Sequence, residues 1–379
     1  MRMAKAVVGL EVHAQLASKH KLFSHALVDC DAAPNTHVAP FDAAHPGSMP
    51  VLNMQCVLLA LRAVLLFNCQ NIERNGWWDR KHYRYGDLPA GYQITQHSTP
   101  LGRDGSLVFR NRQLGISQIH MEQDTAKKIG TSFDLNRAGV GLIEIVTQPD
   151  LENGEQAEQA VRELQLLLRD AGICEGQMAK GQLRVDANVS IGYGARAEIK
   201  NVSGLTTLRL AIDAEINRQR TILGNGGILP KRETRSYDEV NDVTLAMRIK
   251  EDLADYGFIR EGDLPLLSLG EDLIEQARKD LGNRLNRREK RKRYSELGLN
   301  ETETDALLEY PFADHFESMT RTGARNRARA AYNLLMNTLL GIISRNDRPY
   351  DLNSLDSNEM NRLLDGLLDG HLDSKIFFL

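Results

Sequence analysis

Acids and histidines recur at alternate positions inside otherwise apolar stretches of the first half of the chain, and this placement limits the possible folds sharply. In an extended strand residues i, i+2 and i+4 point to one face. The stretch from Ala6 to Leu16 alternates in this way and puts Glu11 and His13 side by side, and His120, Glu122 and Asp124 repeat the pattern. Glu144 lies within Gly141-Leu142-Ile143-Glu144-Ile145-Val146, where an ionised carboxylate is costly unless it is paired or bound to a cation. A set rich in carboxylates, with one imidazole per strand, suits a hard divalent cation such as Mg²⁺ better than zinc. The same alternation also describes any half-solvated strand, so spacing alone leaves both readings open.

Residues 1–150 read as short strands broken by Gly/Pro turns such as Pro46-Gly47 and Leu88-Pro89-Ala90-Gly91, with one helix near Met54 to Phe67 and an extended stretch from Leu107 to Asp124. Apolar positions at helical spacing predict helices over about 154–171, closed by Gly172, and about 206–223, with a strand pair between them from Gly181 to Val202. After Leu264-Pro265-Leu266-Leu267 the composition shifts to helix formers. The expected fold is therefore α+β: a mainly antiparallel-sheet cradle with flanking helices over 1–265, then an all-α domain over 266–379. A chain of 379 residues is long enough for about two to three domains.

The longest apolar run, Cys56 to Cys69, contains Arg62 and falls short of the roughly 20 residues that cross a bilayer, so no membrane partner is expected. Neither a secretory signal nor a transit peptide is visible at the N-terminus. The four cysteines have neither metal-knuckle nor disulfide-framework spacing, and Cys56 and Cys69 read as buried packing residues. With 47 Lys and Arg against 51 Asp and Glu, any nucleic-acid partner must be met by local basic patches. Two exist: the run Arg284 to Arg293, and Arg321, Arg325 and Arg329, whose i, i+4, i+8 spacing predicts one helix face. Each is equally readable as a solvated helix face.

The segment from Trp78 to Pro89 mixes cations, aromatics and acids, a composition suited to an anion or nucleotide contact or to cross-strand pairing in water. Arg184 to Asn188, Lys200-Asn201 and Glu233-Thr234-Arg235 line a polar cleft or face solvent. No phosphate loop, GxGxxG fingerprint, GxSxG elbow or HExxH motif is present, and no nucleophile for amide hydrolysis stands out.

Taken in order, Val8-Gly9-Leu10-Glu11-Val12-His13, Lys21-Leu22-Phe23-Ser24, Ala33-Pro34-Asn35-Thr36, Pro50-Val51-Leu52-Asn53, Asp79-Arg80-Lys81-His82-Tyr83, Asp87 to Gln96, Glu122-Gln123-Asp124, Asp134 to Gly139 and Leu183 to Asn188 resemble the GatB family, the B-type component of the glutamyl/aspartyl-tRNA amidotransferases. The match is collinear from about residue 7 to 250 and looks more like the organellar members. The resemblance implies a carbon–nitrogen ligase acting within a heterotrimer. ATP would phosphorylate the side-chain carboxylate of glutamate misacylated onto tRNA(Gln). Ammonia from a partner A-type amidase subunit, assembled with a small C-type subunit, would then give glutaminyl-tRNA(Gln). A stand-alone Mg²⁺/ATP carboxylate–amine ligase and a non-catalytic tRNA-binding relative are the alternatives.

The implied cofactors are ATP and Mg²⁺, with Glu11, His13, Glu122 and Glu144 as metal positions and Glu11, Lys81, Glu122 and Asp124 as catalytic ones. Asp79, Arg80, Tyr83, Tyr85, Arg137, Arg184, Asn188, Lys200 and Arg235 are the expected ATP and substrate contacts. Arg287, Arg288, Arg291, Arg325 and Arg329 are the expected tRNA contacts. By the same resemblance the location is mitochondrial. The chain departs from the family in three places: no cysteine pair stands between Thr36 and Pro46, the usual Arg and prolines are missing over Tyr256 to Gly262, and the tRNA-gripping tail expected after Gly370 is replaced by a stop at Leu379.

Overall fold

The computed structural model describes residues 4–83, 85–192, 194–249, 257–282, 287–321, 323–345 and 356–371, excepting the side chains of 248, 249, 287, 288, 344 and 345. Tyr256, Arg284, the side chains of Arg287 and Arg288, and the last eight positions of the chain therefore lie outside the described residues. The chain divides into two compact units, 1–284 and 285–379.

In the first unit the strands are β1 (Ala6–Gln15), β2 (Asn71–Ile72), β3 (Asn75–Gly76), β4 (Asp79–His82), β5 (Tyr92–Thr95), β6 (Gly102–Phe109), β7 (Arg112–Gln123) and β8 (Lys127–Ile129). They continue as β9 (Ser132–Asp134), β10 (Gly141–Thr147), β11 (Leu183–Ile191), β12 (Arg196–Lys200), β13 (Arg232–Asp238), β14 (Val243–Ile249), β15 (Gly257–Arg260) and β16 (Leu267–Ser268). The helices are α1 (Met54–Leu66), α2 (Gly154–Asp170), α3 (Leu205–Gly224) and α4 (Glu271–Leu281). One large sheet runs in the order β14-β13-β12-β11-β1-β10-β7-β5-β4-β15, with β6 also paired to β7.

The first strand is central because both neighbours hydrogen-bond to it, β10 on one side and β11 on the other. Its alternation sends Val8, Leu10, Val12 and Ala14 into the core, while Glu11, His13 and Gln15 stay half-buried on the opposite face. Strand β11 does the same: Leu183, Val185, Ala187 and Val189 are buried, and Arg184, Asp186 and Asn188 face the other way. Helices α2 and α3 pack against each other and the apolar face, while the polar face carries half-buried Glu11, His13 and Glu144 beside buried His120 and Glu122.

Two features were not legible in the sequence. The stretch from Leu107 to Asp124 is not one extended run but a hairpin, β6–β7, that turns at Arg110 and Asn111, both at positive φ as a type I′ turn requires. After α3 the chain returns to pair β13 parallel to β12, the one parallel pairing among the described residues, and β14 then folds back antiparallel as an edge strand. The compositional shift near 266 precedes the division between the units by one helix: α4 packs on α1, and Asp280 pairs with Arg62 at 2.6 Å.

The second unit holds α5 (Arg287–Glu296), α6 (Glu301–Glu309), α7 (Ala313–Met319), α8 (Arg325–Tyr332), a π-helical turn over Asn333–Leu339, α9 (Leu340–Arg345) and α10 (Ser357–Leu368). These helices surround their own core of Tyr294, Leu307, Phe312, Phe316, Leu335 and Leu364. Asn300 and Glu303 form a reciprocal capping box at the start of α6. Every element described in this unit is helical, whereas the span expected to be all-α from 266 also takes in β16 and α4, which belong to the first unit.

Candidate active site

Register across the sheet assembles the polar face. Cα partners share a face in antiparallel pairs, so Arg184, His13, Glu144 and His120 form one continuous row across β11, β1, β10 and β7. Asp186 and Glu11 begin the adjacent row. Two groups of metal-competent atoms result, each with all its ligand atoms within 4.8 Å of one another: His13 with Glu122 and Glu144, and Glu11 with Asp186 and Glu198. The four residues expected to share one ion therefore divide. Glu11 sits one row along from His13 and Glu144 and two from Glu122, and joins carboxylates of β11 and β12.

Within the first group His13 Nε2 lies 3.3 Å from Glu122 Oε1 and 3.8 Å from Glu144 Oε2, and His120 Nε2 lies 3.0 Å from Glu144 Oε2. In the second, Asn188 Nδ2 donates to Glu11 Oε1 at 2.9 Å, and Lys200 Nζ bridges Asp186 at 2.7 Å and Glu198 at 2.9 Å. Asp124 enters through Arg184, 2.9 Å away, with Arg137 at 3.7 Å on its other oxygen.

Charge explains the titration of this face. Burial alone would depress His13, but Glu144 and Glu122 outweigh it and push the imidazole up to about 9. His120 is raised for the same reason, against its burial, chiefly by Glu144. Burial favours protonated Glu144 and Glu122, yet the two imidazoles hold both carboxyls below the usual range. Glu11 moves the other way, raised by burial and by Glu144.

Seven carboxylates (Glu11, Asp79, Glu122, Asp124, Glu144, Asp186, Glu198) thus face four fixed cations, Lys81, Arg137, Arg184 and Lys200. Of the three negative charges left over, the two imidazolium groups meet two, which is the charge one divalent cation would supply. Oxygen-rich donors carrying that excess fit Mg²⁺.

Asp79 and Lys81 share the open face, since the register runs Glu122 to Thr95 to Asp79. Lys81 is among the charges that depress Glu144. Asp79 is held by the backbone N–H and hydroxyl of Ser98, at 2.7 and 3.1 Å. Tyr83 and Tyr85 stack edge-to-face beside Lys81. Arg137 donates to the carbonyls of Thr125 and Ala126, both at 2.9 Å.

Arg80 and Arg235 are not brought to this face. Arg80 has the opposite parity to Lys81, and its guanidinium is gripped by Glu261 at 2.6 and 2.8 Å and by Asp263 at 2.9 Å. Arg235 points to the helix side, where it donates to Thr244 and Glu233 in a buried network with Glu215 and Arg218. Glu198 was missed; counting back two residues from Lys200 would have found it. His97 was missed as well, and a lone histidine beyond a short strand gives no periodic signal.

In the helical unit Arg291 pairs with Asp305 and Arg329 with Glu303, whereas Arg325 is exposed. Arg321 is not on the face shared by Arg325 and Arg329, because α8 begins only at Arg325, after Gly323 at positive φ. The four cysteines are free; Cys56 is buried, and Cys69 is half-buried beneath Gly102 and Gly105.

One sheet face carries acids, imidazoles and fixed cations, and comparison with known proteins gives the class of the domain. The family model "GatB/GatE catalytic domain" matches residues 6–275. The B subunit of the mitochondrial glutamyl-tRNA(Gln) amidotransferase of Danio rerio is 47% identical over 283 residues, covering 69% of this chain and 51% of that protein. The Homo sapiens counterpart is 46% identical over 286 residues, covering 70% and 51%. The B subunit of the aspartyl/glutamyl-tRNA(Asn/Gln) amidotransferase of Wolbachia sp. (strain wRi) is 37% identical over 389 residues, covering 98% and 80%. The matched segment thus spans about half of the mitochondrial relatives. The chain belongs to the GatB family of amidotransferase components.

Proposed function

We propose that the open face of the sheet activates and amidates the side-chain carboxylate of glutamate misacylated onto tRNA(Gln), using ATP, with ammonia delivered by an A-type amidase subunit in a heterotrimer completed by a small C-type subunit. The observation that carries this reading is the meeting of two carboxylate groups with Lys81, Arg184 and Lys200 on one face. Nothing among the described residues favours the stand-alone ligase or the non-catalytic relative.

Phosphoryl transfer asks a protein mainly to position groups and neutralise charge. His13, Glu122 and Glu144, with Glu11 beside them, would hold Mg²⁺, which when bound offsets the charge of the ATP phosphates. The substrate carboxylate oxygen bonds to the γ-phosphorus as ADP departs. Ammonia then bonds to the acyl carbon as phosphate departs, and the surplus proton leaves the nitrogen. Lys81 and Arg184 supply positive charge where the phosphoryl oxygens come to lie, Asp124 fixes the Arg184 fork, and Asn188 orients Glu11. The mitochondrial relatives support a mitochondrial location.

The test is turnover of glutamyl-tRNA(Gln) by the full chain with ATP and Mg²⁺. Ammonium salts should support glutaminyl-tRNA formation, and glutamine should not until the partner amidase is added. Glutamine-supported turnover by this chain alone would sink the division of labour.

A further inference from the structure

An exposed aromatic pair spans the same face, with His97 near His120, Asp79 and Lys81 and Phe258 on the outermost strand, and neither ring is given a role above. The rings of His97 and Phe258 are stacked, centroids 4.1 Å apart and planes 14° from parallel. Phe258 is opposite Lys81 in the β4–β15 ladder and therefore shares the open face. Register steps from Glu122 through Thr95 and Asp79 to Arg260, so the strand that carries Phe258 lies three interstrand spacings, roughly 14 Å, from Glu122, and His97 lies between them.

The pair is held rigidly. Gln96, before His97, exchanges bonds with Met121: its backbone N–H donates to the Met121 carbonyl at 3.0 Å and its side-chain oxygen accepts from the Met121 N–H at 3.1 Å. Ser98, after it, is fixed on Asp79. Phe258 rides on a strand hydrogen-bonded to β4. Yet His97 is exposed and Phe258 is 37% exposed, so a preorganised π surface faces solvent on an otherwise polar face. Such a surface serves neither the core nor the sheet, and rigid aromatic faces flanked by cations bind nucleobases.

From this juxtaposition we infer that the His97–Phe258 stack is an adenine platform, on which a purine ring lies while the other end of its carrier reaches the carboxylates. The inference rests on the proposed function, because two adenine carriers must then come to this face: ATP and the terminal adenosine of the tRNA. Both contain AMP as a fragment, and both are long enough to bridge the sheet from Phe258 to Glu122.

The experiment titrates AMP into the full chain carrying ¹³C-labelled histidine, with the His97 signal assigned through His97→Gln. The expected result is a saturable upfield ring-current shift of His97, absent with ribose 5-phosphate. AMP affinity should fall between about fivefold and about a hundredfold in Phe258→Ala, the range that base stacking on an aromatic ring commands. Phe258→Leu, which keeps an apolar residue on the strand, should weaken AMP binding as well. A raised KM for ATP in Phe258→Leu assigns the platform to ATP, and a raised KM for glutamyl-tRNA assigns it to the terminal adenosine. An unmoved His97 signal at saturating AMP, or equal AMP affinity in wild type and both Phe258 variants, overturns the platform. Absent turnover with the AMP shift intact would instead refute the amidation reading alone.

Discussion

His13 and His120 carry the counter-charge for Glu122 and Glu144, so the metal-free chain depends on their protonation. A raised imidazole contributes stability fully below its unfolded value of 6.5, and that contribution fades as pH climbs through the folded value, about 9 for His13. The melting temperature of the metal-free chain should therefore fall between pH 6.5 and 9, and Mg²⁺ should offset the fall by replacing the missing charge. A melting profile of the metal-free chain that stays flat across that window would contradict this role. Alternation alone revealed Glu11, His13, His120 and Glu122, because a polar side chain every second residue in an apolar strand has only one face to occupy. The same parity, carried further, separates Lys81 from Arg80 and Thr234 from Arg235. Composition hid that distinction, since an arginine in a charged segment reads alike whichever way it points.

The crossover from β12 through α3 to β13 rests on a buried network that no strand or helix pattern announced. Glu215 is fully buried and accepts from Arg218 at 2.7 and 2.8 Å, Gln219 at 2.7 Å and Thr244 at 2.6 Å, while Glu233 bridges Arg218 and Arg235. Two acids and two guanidinium groups balance. Removing one acid leaves a buried cation uncompensated, so Glu215→Gln should destabilise the first unit by about 3–5 kcal/mol in chemical denaturation. The stabilisation by Glu215, whose carboxyl is lowered by Arg218 and Thr244 against its burial, is present above pH 4.5 and is lost as pH falls further. Helix packing offers a second check. A Cβ at Gly154 would run into the Arg209 carbonyl oxygen of α3. Gly154→Ala must therefore push α2 and α3 apart, at a cost of about 1–3 kcal/mol, measurable as a lower denaturation midpoint. Helices α2 and α3 were legible because their apolar positions recur at helical spacing. Strands β13 and β14 were not, because their buried positions are filled by Glu233, Arg235 and Thr244, which satisfy one another instead of presenting an apolar pattern.

Over the whole molecule, a net charge of −4 leaves tRNA attraction to local patches, and the helical unit's own ion pairs thin them. Arg291 and Arg329 are already matched to Asp305 and Glu303, so the exposed Arg325 is the stronger candidate for a phosphate contact. Arg325→Glu should weaken tRNA binding and reduce the slope of log K against log salt by roughly 0.7–0.9 for each phosphate no longer neutralised. An unchanged slope would mark Arg325 as solvated surface. The two-part organisation was legible from the change to helix formers near 266, although α4 stays with the first unit because its apolar side packs on α1. The central claim concerns the open face of the sheet, and hydroxylamine trapping tests it most directly. Supplied in place of ammonia, hydroxylamine should capture the activated glutamyl group on the tRNA as a hydroxamate, one for each ADP formed. Wild-type chain should yield both products only with ATP and Mg²⁺, and Glu122→Gln should yield neither while binding tRNA normally. Hydroxamate and ADP formed by Glu122→Gln at the wild-type rate would contradict the assignment of this face.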